Sequence, residues 1–252
     1  MSQKTPVEAR PASTVLLLRD SAPGALEVFM VERHHKMDFA AAARVFPGGR
    51  VDEADVHLGG SVEASFRVAA IREAFEESGI LLARPKGDVA LIAANRLDAL
   101  QHAREPLNVG QLDFGDFLNA ESLTLAEDLL VPFAHWITPV VYPKRYDTLF
   151  FLARAPDDQT GAHDGYESVD SLWISPARAL ADADAGKCKL EFATRRNLEK
   201  LARSTSTKDA INSATKSKVV RVLPTTTGEG ESMRVSIPAE ADYGGTDFSM
   251  WK

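Results

Sequence analysis

The stretch Arg72-Glu73-Ala74-Phe75-Glu76-Glu77-Ser78-Gly79-Ile80 constrains this chain more than any other. Apolar spacing predicts a helix over residues 63–78: Ala64, Val68, Ile71 and Phe75 recur at i, i+4, i+7 and i+11 as a core-facing stripe. Gly79 stands where a helix-terminating glycine belongs. At about 100° per residue, Glu73, Glu76 and Glu77 fall within an arc of roughly 100° on the other side. Three acids there are costly, because like charges three and four positions apart repel and acids in the last turn oppose the helix dipole. A cation offsets both costs, and grouped carboxylate oxygens suit a hard divalent ion. Ala69 and Ala70 lie near the acidic side and leave room for a ligand. The plain alternative is a solvated acidic face.

Upstream lies Phe46-Pro47-Gly48-Gly49-Arg50-Val51-Asp52, a strand and glycine turn. Together the two segments resemble the box of the Nudix hydrolases, Gly-x5-Glu-x7-Arg-Glu-U-x-Glu-Glu-x-Gly-U, where U is apolar. From Arg72 to Ile80 the match is complete, with the small Ala74 at an apolar position. The first half departs. Counting from Gly49, the glutamate position holds Asp55, and sixteen residues rather than seven then precede Arg72, an insertion of nine. Counting back from Arg72, the position holds Ala64, with Glu63 beside it. Asp55, Glu63 and the distant Glu167 are therefore the candidates for the missing acid. An interrupted box of this kind resembles the branch that includes the peroxisomal coenzyme A diphosphatases and their bacterial relatives. Trp136-Ile137-Thr138-Pro139, the run from Pro143 to Thr148 with Phe150-Phe151, and the run from Thr194 to Leu198 are similar to that branch as well, so the resemblance covers about residues 13–203.

The resemblance implies an α/β protein: a Nudix-type α/β/α sandwich with a mixed sheet, a helical insertion and a C-terminal extension. Residues 1–12 read as a polar leader. Thr14 to Arg19 and Leu26 to Val31 read as strands around the turn Ser21-Ala22-Pro23-Gly24. Residues 88–130 turn mostly helical and are expected to cap the sheet. Strands return at Phe133 to Val141, Thr148 to Arg154 and Trp173-Ile174, with helices at Pro176 to Ala185 and from Thr194. In the extension, residues 204–252, Ser204 to Ser217 reads as a linker. Val219 to Leu223 and Met233 to Ile237 read as strands that cover a sheet edge or exchange with a second subunit, which leaves a homodimer open.

The implied chemistry is divalent-metal-dependent hydrolysis of a diphosphate joining a nucleoside to another group, with Mg²⁺ or Mn²⁺ as cofactor. Coenzyme A or an acyl-CoA is the leading specific substrate. ADP-ribose, NADH or a nucleoside polyphosphate is the alternative, and a ligand-sensing module without catalysis belongs to another class. Glu73, Glu76 and Glu77 supply metal-ligand oxygens, and the resemblance adds a backbone carbonyl near Gly48. Arg72, four residues before Glu76, braces a carboxylate or makes an ordinary surface pair. Glu73 is the general-base candidate inside the box and Glu167 the one outside it. Residues 186–222 hold ten Lys or Arg against three Asp or Glu. There Arg195 and Arg196 either meet a substrate phosphate or belong to a solvated basic face. The segment from Arg33 through His34 and His35 to Lys36 is a weaker phosphate candidate, and His135 reads as structural.

A chain of 252 residues with 44% apolar and 26% charged residues has core enough for one elaborated domain. The net charge of −7 argues against a general nucleic-acid binder. Cys188 has no second cysteine to pair with. The N-terminal stretch has no apolar signal core, the last residues are not Ser-Lys-Leu, and no apolar run approaches a membrane span. The expectation is a cytoplasmic enzyme acting on a small-molecule nucleotide, with neither nucleic acid nor membrane as partner.

Overall fold

The computed structural model describes residues 7–33, 43–165 and 168–250. In chain order the first elements are β1 (Arg10–Asp20), β2 (Leu26–Arg33), β3 (Arg44–Val45), β4 (Gly48–Arg50), α1 (Glu53–Gly59), α2 (Val62–Ser78) and β5 (Ala83–Pro85). Next come α3 (Ala94–Leu100), α4 (Arg104–Asn108), α5 (Phe114–Ala120), β6 (Leu123–Leu125), β7 (Val131–Ile137), β8 (Tyr146–Arg154) and β9 (Ser168–Ile174). The chain continues with α6 (Pro176–Asp184), α7 (Phe192–Leu201), α8 (Thr207–Lys216), β10 (Arg221–Val222), β11 (Thr225–Thr227), β12 (Arg234–Ser236) and β13 (Asp247–Ser249).

Among the described residues one eight-stranded mixed sheet runs β10-β7-β8-β1-β2-β3, with β4 also on β1 and β9 also on β2. β1 is its axis. It pairs in parallel with β8 from Arg10↔Tyr146 to Leu18↔Arg154. On its other edge it pairs antiparallel with β4 through Ala12–Thr14 and with β2 through Leu18–Asp20. The Val15 N–H, between those two partners, donates to the Pro47 carbonyl at 3.0 Å.

The run Val15-Leu16-Leu17-Leu18 is continuously apolar because both faces of β1 are covered. Val15 and Leu17 pack with Phe29 and Val31 against Ile71 and Phe75 of α2. Leu16 and Leu18 pack with Val28 and Met30 against Ala179, Leu198, Leu201 and Ala210 of α6, α7 and α8. Period-two alternation thus builds two cores, one on each side of the sheet. This is the expected mixed α/β sandwich.

Three elements differ from expectation. The helical insertion caps α2 rather than the sheet: Phe117 of α5 stacks on Phe75 with ring centroids 5.5 Å apart, and β5 and β6 pair to close the insertion at its base. Ala69 and Ala70 are fully buried, and Ala70 belongs to the α2-side core, so their small size serves packing rather than a ligand. Residues 207–216, expected as a linker, form α8. Ser206 caps it by accepting from the Asp209 N–H, Thr207 N–H donates to Asp20 Oδ1 at 2.8 Å, and Ala210 and Ala214 are its buried stripe.

β10 and β12 fall within the two strands expected in the C-terminal extension. β10 extends the sheet edge beside β7 of its own chain, and β12 forms a small sheet with β11 and β13. The extension is fastened by a buried triangle. Trp136 Nε1 donates to Tyr243 Oη at 2.8 Å, and Tyr243 Oη donates to Asn197 Oδ1 at 2.8 Å. Among the described residues, no helix is long and apolar enough to cross a membrane.

Candidate active site

The glycine turn and the acidic helix meet at one place. Gly48 and Gly49 sit in β4, pinned to β1, and α2 passes behind them. The Gly48 N–H donates to Glu77 Oε2 at 3.2 Å. A Cβ on Gly49 would lie 2.3 Å from Glu73 Oε1, and one on Gly48 would lie 2.5 Å from the Ser13 carbonyl oxygen. Only glycine permits either approach.

Arg72 organises the acids. Its Nε and Nη2 donate to the two carboxylate oxygens of Asp55 at 2.9 and 3.0 Å. Nη1 donates to Glu73 Oε1 and to Glu76 Oε2, both at 2.9 Å, and Nη2 also donates to the Arg50 carbonyl at 2.9 Å. All five guanidinium N–H groups are thereby used. Arg72 is buried, so this is not a surface i,i+4 pair. Burial alone would lower its pKa, but the charges of Glu73, Glu76 and Asp55 outweigh that and hold it above its ordinary value.

Of the candidates for the interrupted box, Asp55 is the one that the described residues bring to Arg72. It lies in the first turn of α1, 1% exposed, and its Oδ2 also accepts from the Asp52 N–H at 2.8 Å in a capping box. The rest of α1 and the turn into α2 take up the extra residues. Glu63 is exposed in the first turn of α2, away from this cluster. Glu167 lies outside the described residues, as do His34, His35 and Lys36.

Arg72 meets three carboxylates, those of Asp55, Glu73 and Glu76, and Glu77 stands beside them on the Gly48 N–H, so acidic groups outnumber the arginine. Burial pushes the Glu76 carboxyl up to about 8, with Arg72 opposing and Glu73 adding to the rise. Among the described residues no three His, Cys, Asp or Glu side chains form a ready-made metal cage. The donor chemistry still fits a hard divalent cation. Glu73, Glu76 and Glu77 supply oxygens to one wall, and Glu76 is a carboxyl that a neighbouring cation would ionise.

That wall borders a cavity of about 660 Å³. Thr14 of β1 and Tyr146, Thr148 and Phe150 of β8 line a second side. Leu107, Asn108, Leu112 and Phe114 of the insertion line a third, and Arg50 and Asp52 are exposed at its edge. These residues carried no assigned role in the sequence. Tyr146, Thr148 and Phe150 recur at i, i+2 and i+4, but that alternation is the same for a ligand-facing strand and a core-facing one.

Arg195 and Arg196 do not line this cavity. Arg195 bonds Asp184 at 2.8 Å, and Arg196 is buried, paired with Glu199 at 2.9 Å and lying over the Phe248 ring. Other cations of the basic stretch also have acidic partners: Lys187 has Asp182, Arg203 has Asp242 and Arg221 has Asp147. His135 likewise contacts Asp147 across neighbouring strands.

Residues 57–191 match a family model described as the NUDT19 Nudix domain. A Caenorhabditis elegans protein whose name places it among the nudix hydrolases is 33% identical over 163 residues, 65% of this chain and 51% of that one. The acyl-coenzyme A diphosphatase NUDT19 of Gallus gallus is 29% identical over 238 residues, 68% of this chain and 62% of that one. The chain therefore spans little more than half the length of the curated relatives it matches. Among solved structures, a NUDIX hydrolase from Alicyclobacillus acidocaldarius superposes with a TM-score of 0.69 at 25% identity, covering 81% of this chain and 96% of that one.

Proposed function

Given that this chain belongs to the Nudix hydrolases, whose members generally need divalent metal ions and act on small molecules, we propose that it cleaves the diphosphate of coenzyme A or an acyl-CoA. The observation that supports this reading best is the juxtaposition of two unlike walls. The carboxylates of Glu73, Glu76 and Glu77 share one cavity with Tyr146, Phe150, Leu107 and Phe114. A diphosphate suits the first wall once cations are bound, and a base or a long apolar group suits the second. The choice of coenzyme A rests on the Gallus gallus relative named as an acyl-coenzyme A diphosphatase.

The proposed roles follow from chemistry. Glu73, Glu76 and Glu77, with the backbone near Gly48, hold Mg²⁺ or Mn²⁺. The bound metal offsets phosphate charge and lowers the pKa of water. Arg72 keeps Glu73 and Glu76 in register through its shared Nη1. Glu73, half-buried at the cavity wall, takes the proton from the attacking water; Glu167 is the alternative base. Water's oxygen bonds to phosphorus, the bridging P–O bond breaks, and the products are 3′,5′-ADP and a 4′-phosphopantetheine species. Among lining residues Arg50 and Arg72 oppose Asp52, Glu73, Glu76, Glu77 and Asp113, a formal net of −3 once every carboxyl is ionised. Arg72 is fully committed, whereas Arg50 is exposed and has only a 3.7 Å pairing with Asp52, so Arg50 is the side chain proposed to meet phosphate.

The test is a substrate panel of coenzyme A, ADP-ribose, NADH and dinucleoside polyphosphates with Mg²⁺ or Mn²⁺, products identified by mass. Turnover of coenzyme A, lost in Glu76→Gln and Glu77→Gln, is expected. Turnover of the other compounds but not coenzyme A overturns the substrate. Unchanged activity in both variants overturns the metal assignment.

A further inference from the structure

Helix α2 ends in three acids with no basic residue in its last turn, so its carbonyl end draws positive charge from elsewhere. The insertion supplies it. Arg104, the first residue of α4, is half-buried against the end of α2. Its Nε and Nη2 donate to the Glu76 carbonyl oxygen at 3.1 and 3.0 Å, and Nη2 also donates to the Ala162 carbonyl at 2.9 Å. Gln101, three residues earlier, donates from Nε2 to the Gly79 carbonyl at 2.9 Å. The Ala162 N–H in turn donates to the Ser78 carbonyl at 2.8 Å. Carbonyls that a helix end leaves open are thus taken by a single bracket of the insertion and the 155–165 loop.

The bracket is joined to the cavity from two directions. Glu76, whose carbonyl Arg104 holds, presents its carboxylate to Arg72 and the cavity wall. The helix that Arg104 begins places Leu107 and Asn108 on the wall of the same cavity. A shift of Arg104 therefore changes the spacing between the carboxylates and the insertion wall.

We infer that Arg104 is a positioning residue, which sets the last turn of α2, and with it Glu76 and Glu77, against the insertion side of the cavity. The inference rests on the hydrolase reading for its kinetic consequence and not for its metal-binding one. The guanidinium fork matters because one side chain spans two carbonyls, on Glu76 and Ala162; a lysine keeps the charge and loses the fork. Arg84 is the internal control. It bonds Asp128 at 2.5 and 2.8 Å within the insertion and touches neither α2 nor the cavity.

The experiment compares wild type, Arg104→Met, Arg104→Lys and Arg84→Met. Mn²⁺ alone is titrated by calorimetry, unfolding is followed by circular dichroism, and kcat and KM are measured on whichever panel compound the wild type turns over. Arg104→Met is expected to weaken Mn²⁺ binding and lower kcat by about tenfold each, as loss of a group that orients metal ligands does, with KM changing less. Arg104→Lys recovers part of both, and Arg84→Met changes neither. A cooperatively folded Arg104→Met with wild-type Mn²⁺ affinity and kcat overturns the inference. Should Arg104→Met not fold, Arg104→Lys decides: wild-type Mn²⁺ affinity overturns it, and a loss of threefold or more upholds it. A wild type inactive on every diphosphate removes the hydrolase reading, while the Mn²⁺ titration still decides Arg104.

Discussion

Gly48 and Gly49 stand side by side, yet substituting each with alanine should damage different things. Neither has a positive φ, so alanine costs no backbone strain at either, and the difference lies in what the new methyl meets. At Gly49 the methyl would lie 2.3, 2.5 and 2.7 Å from Glu73 Oε1, Cδ and Oε2. An ordinary contact begins at 3.4 Å, so the carboxylate must retreat by about 1.1 Å, the difference between 3.4 and 2.3. It is the far end of a flexible, half-buried side chain on a cavity, so it rotates away, at the expense of its 2.9 Å bond from Arg72. Losing one charge-assisted hydrogen bond in a partly hydrated place costs about 1 kcal/mol of stability. At Gly48 the methyl would lie 2.5 Å from the Ser13 carbonyl oxygen and 2.7 Å from Thr14 Cα, both backbone of the central strand. Backbone does not rotate away; the sheet must part, at about 1–3 kcal/mol.

The expected pattern is therefore crossed. Gly49→Ala should melt within about 4 °C of wild type, with kcat reduced on the order of 100-fold, the effect of displacing a group at the reacting centre by about 1 Å. Gly48→Ala should lose more melting temperature than Gly49→Ala. Thermal unfolding and kcat at saturating metal on the best panel compound measure both. Gly49→Ala with wild-type kcat refutes the placement of Glu73 in the chemistry. A Gly48→Ala variant as stable as wild type refutes the close approach of β4 to β1.

Asp55→Ala leaves two donors of buried Arg72 without their carboxylate and should cost about 3–5 kcal/mol. Glu63→Ala, on an exposed first turn, should stay within about 0.5 kcal/mol, so denaturant melts of the pair test which of these two acids buried Arg72 depends on. The raised pKa of Glu76, about 8 in the fold against an ordinary 4.5, means that metal-free native protein holds a proton the unfolded chain has lost. Stability from this group is present below pH 4.5 and declines as pH rises to 8, by an amount on the order of a few kcal/mol. The fall in metal-free melting temperature between pH 5 and 8 should be shallower in Glu76→Gln, and equal slopes would refute the assignment. Tyr243→Phe removes a buried hydroxyl that bonds Trp136 and Asn197 and should cost about 1–2 kcal/mol without altering kcat, a split read from a melt and a turnover assay.

The parts of this molecule that were legible in its sequence are those where residues go against local preference. Acids at a helix C-terminus are disfavoured on their own, so Glu73, Glu76 and Glu77 pointed to a cation before any fold was known. Gly79 takes φ 71°, as a helix-ending glycine does, and Val68, Ile71 and Phe75 fill the core. Counting from the glycines made Asp55 one of three candidates for the missing acid. Asp55 reaches Arg72 because α1, closed at its start by the Asp52–Asp55 capping box, follows directly on β4, and the extra residues come after it. By contrast, α8 is bound through Ala210 and Ala214, too small to stand out among serines and threonines. The basic stretch misled for a related reason: the partners of Arg203 and Arg221 are Asp242 and Asp147, 39 and 74 residues away. Charge density along a chain says little until the fold chooses who faces whom.

The same distinction explains why charge at the end of α2 was only half read. Local logic asked for something cationic beside three glutamates and offered a metal. The fold adds two arginines with different duties. Arg72, inside the helix, takes side chains and was visible at i,i+4 from Glu76. Arg104, from an insertion that begins beyond the helix, takes the Glu76 main-chain carbonyl. Spacing within α2 could not reveal it, because the contact depends on how the insertion lies over Phe75 and Gly79. Glu76 thus sits between one arginine that holds its carboxylate and another that holds its main-chain carbonyl. The carboxylates that line the cavity outnumber its arginines, a charge balance that favours a cation there.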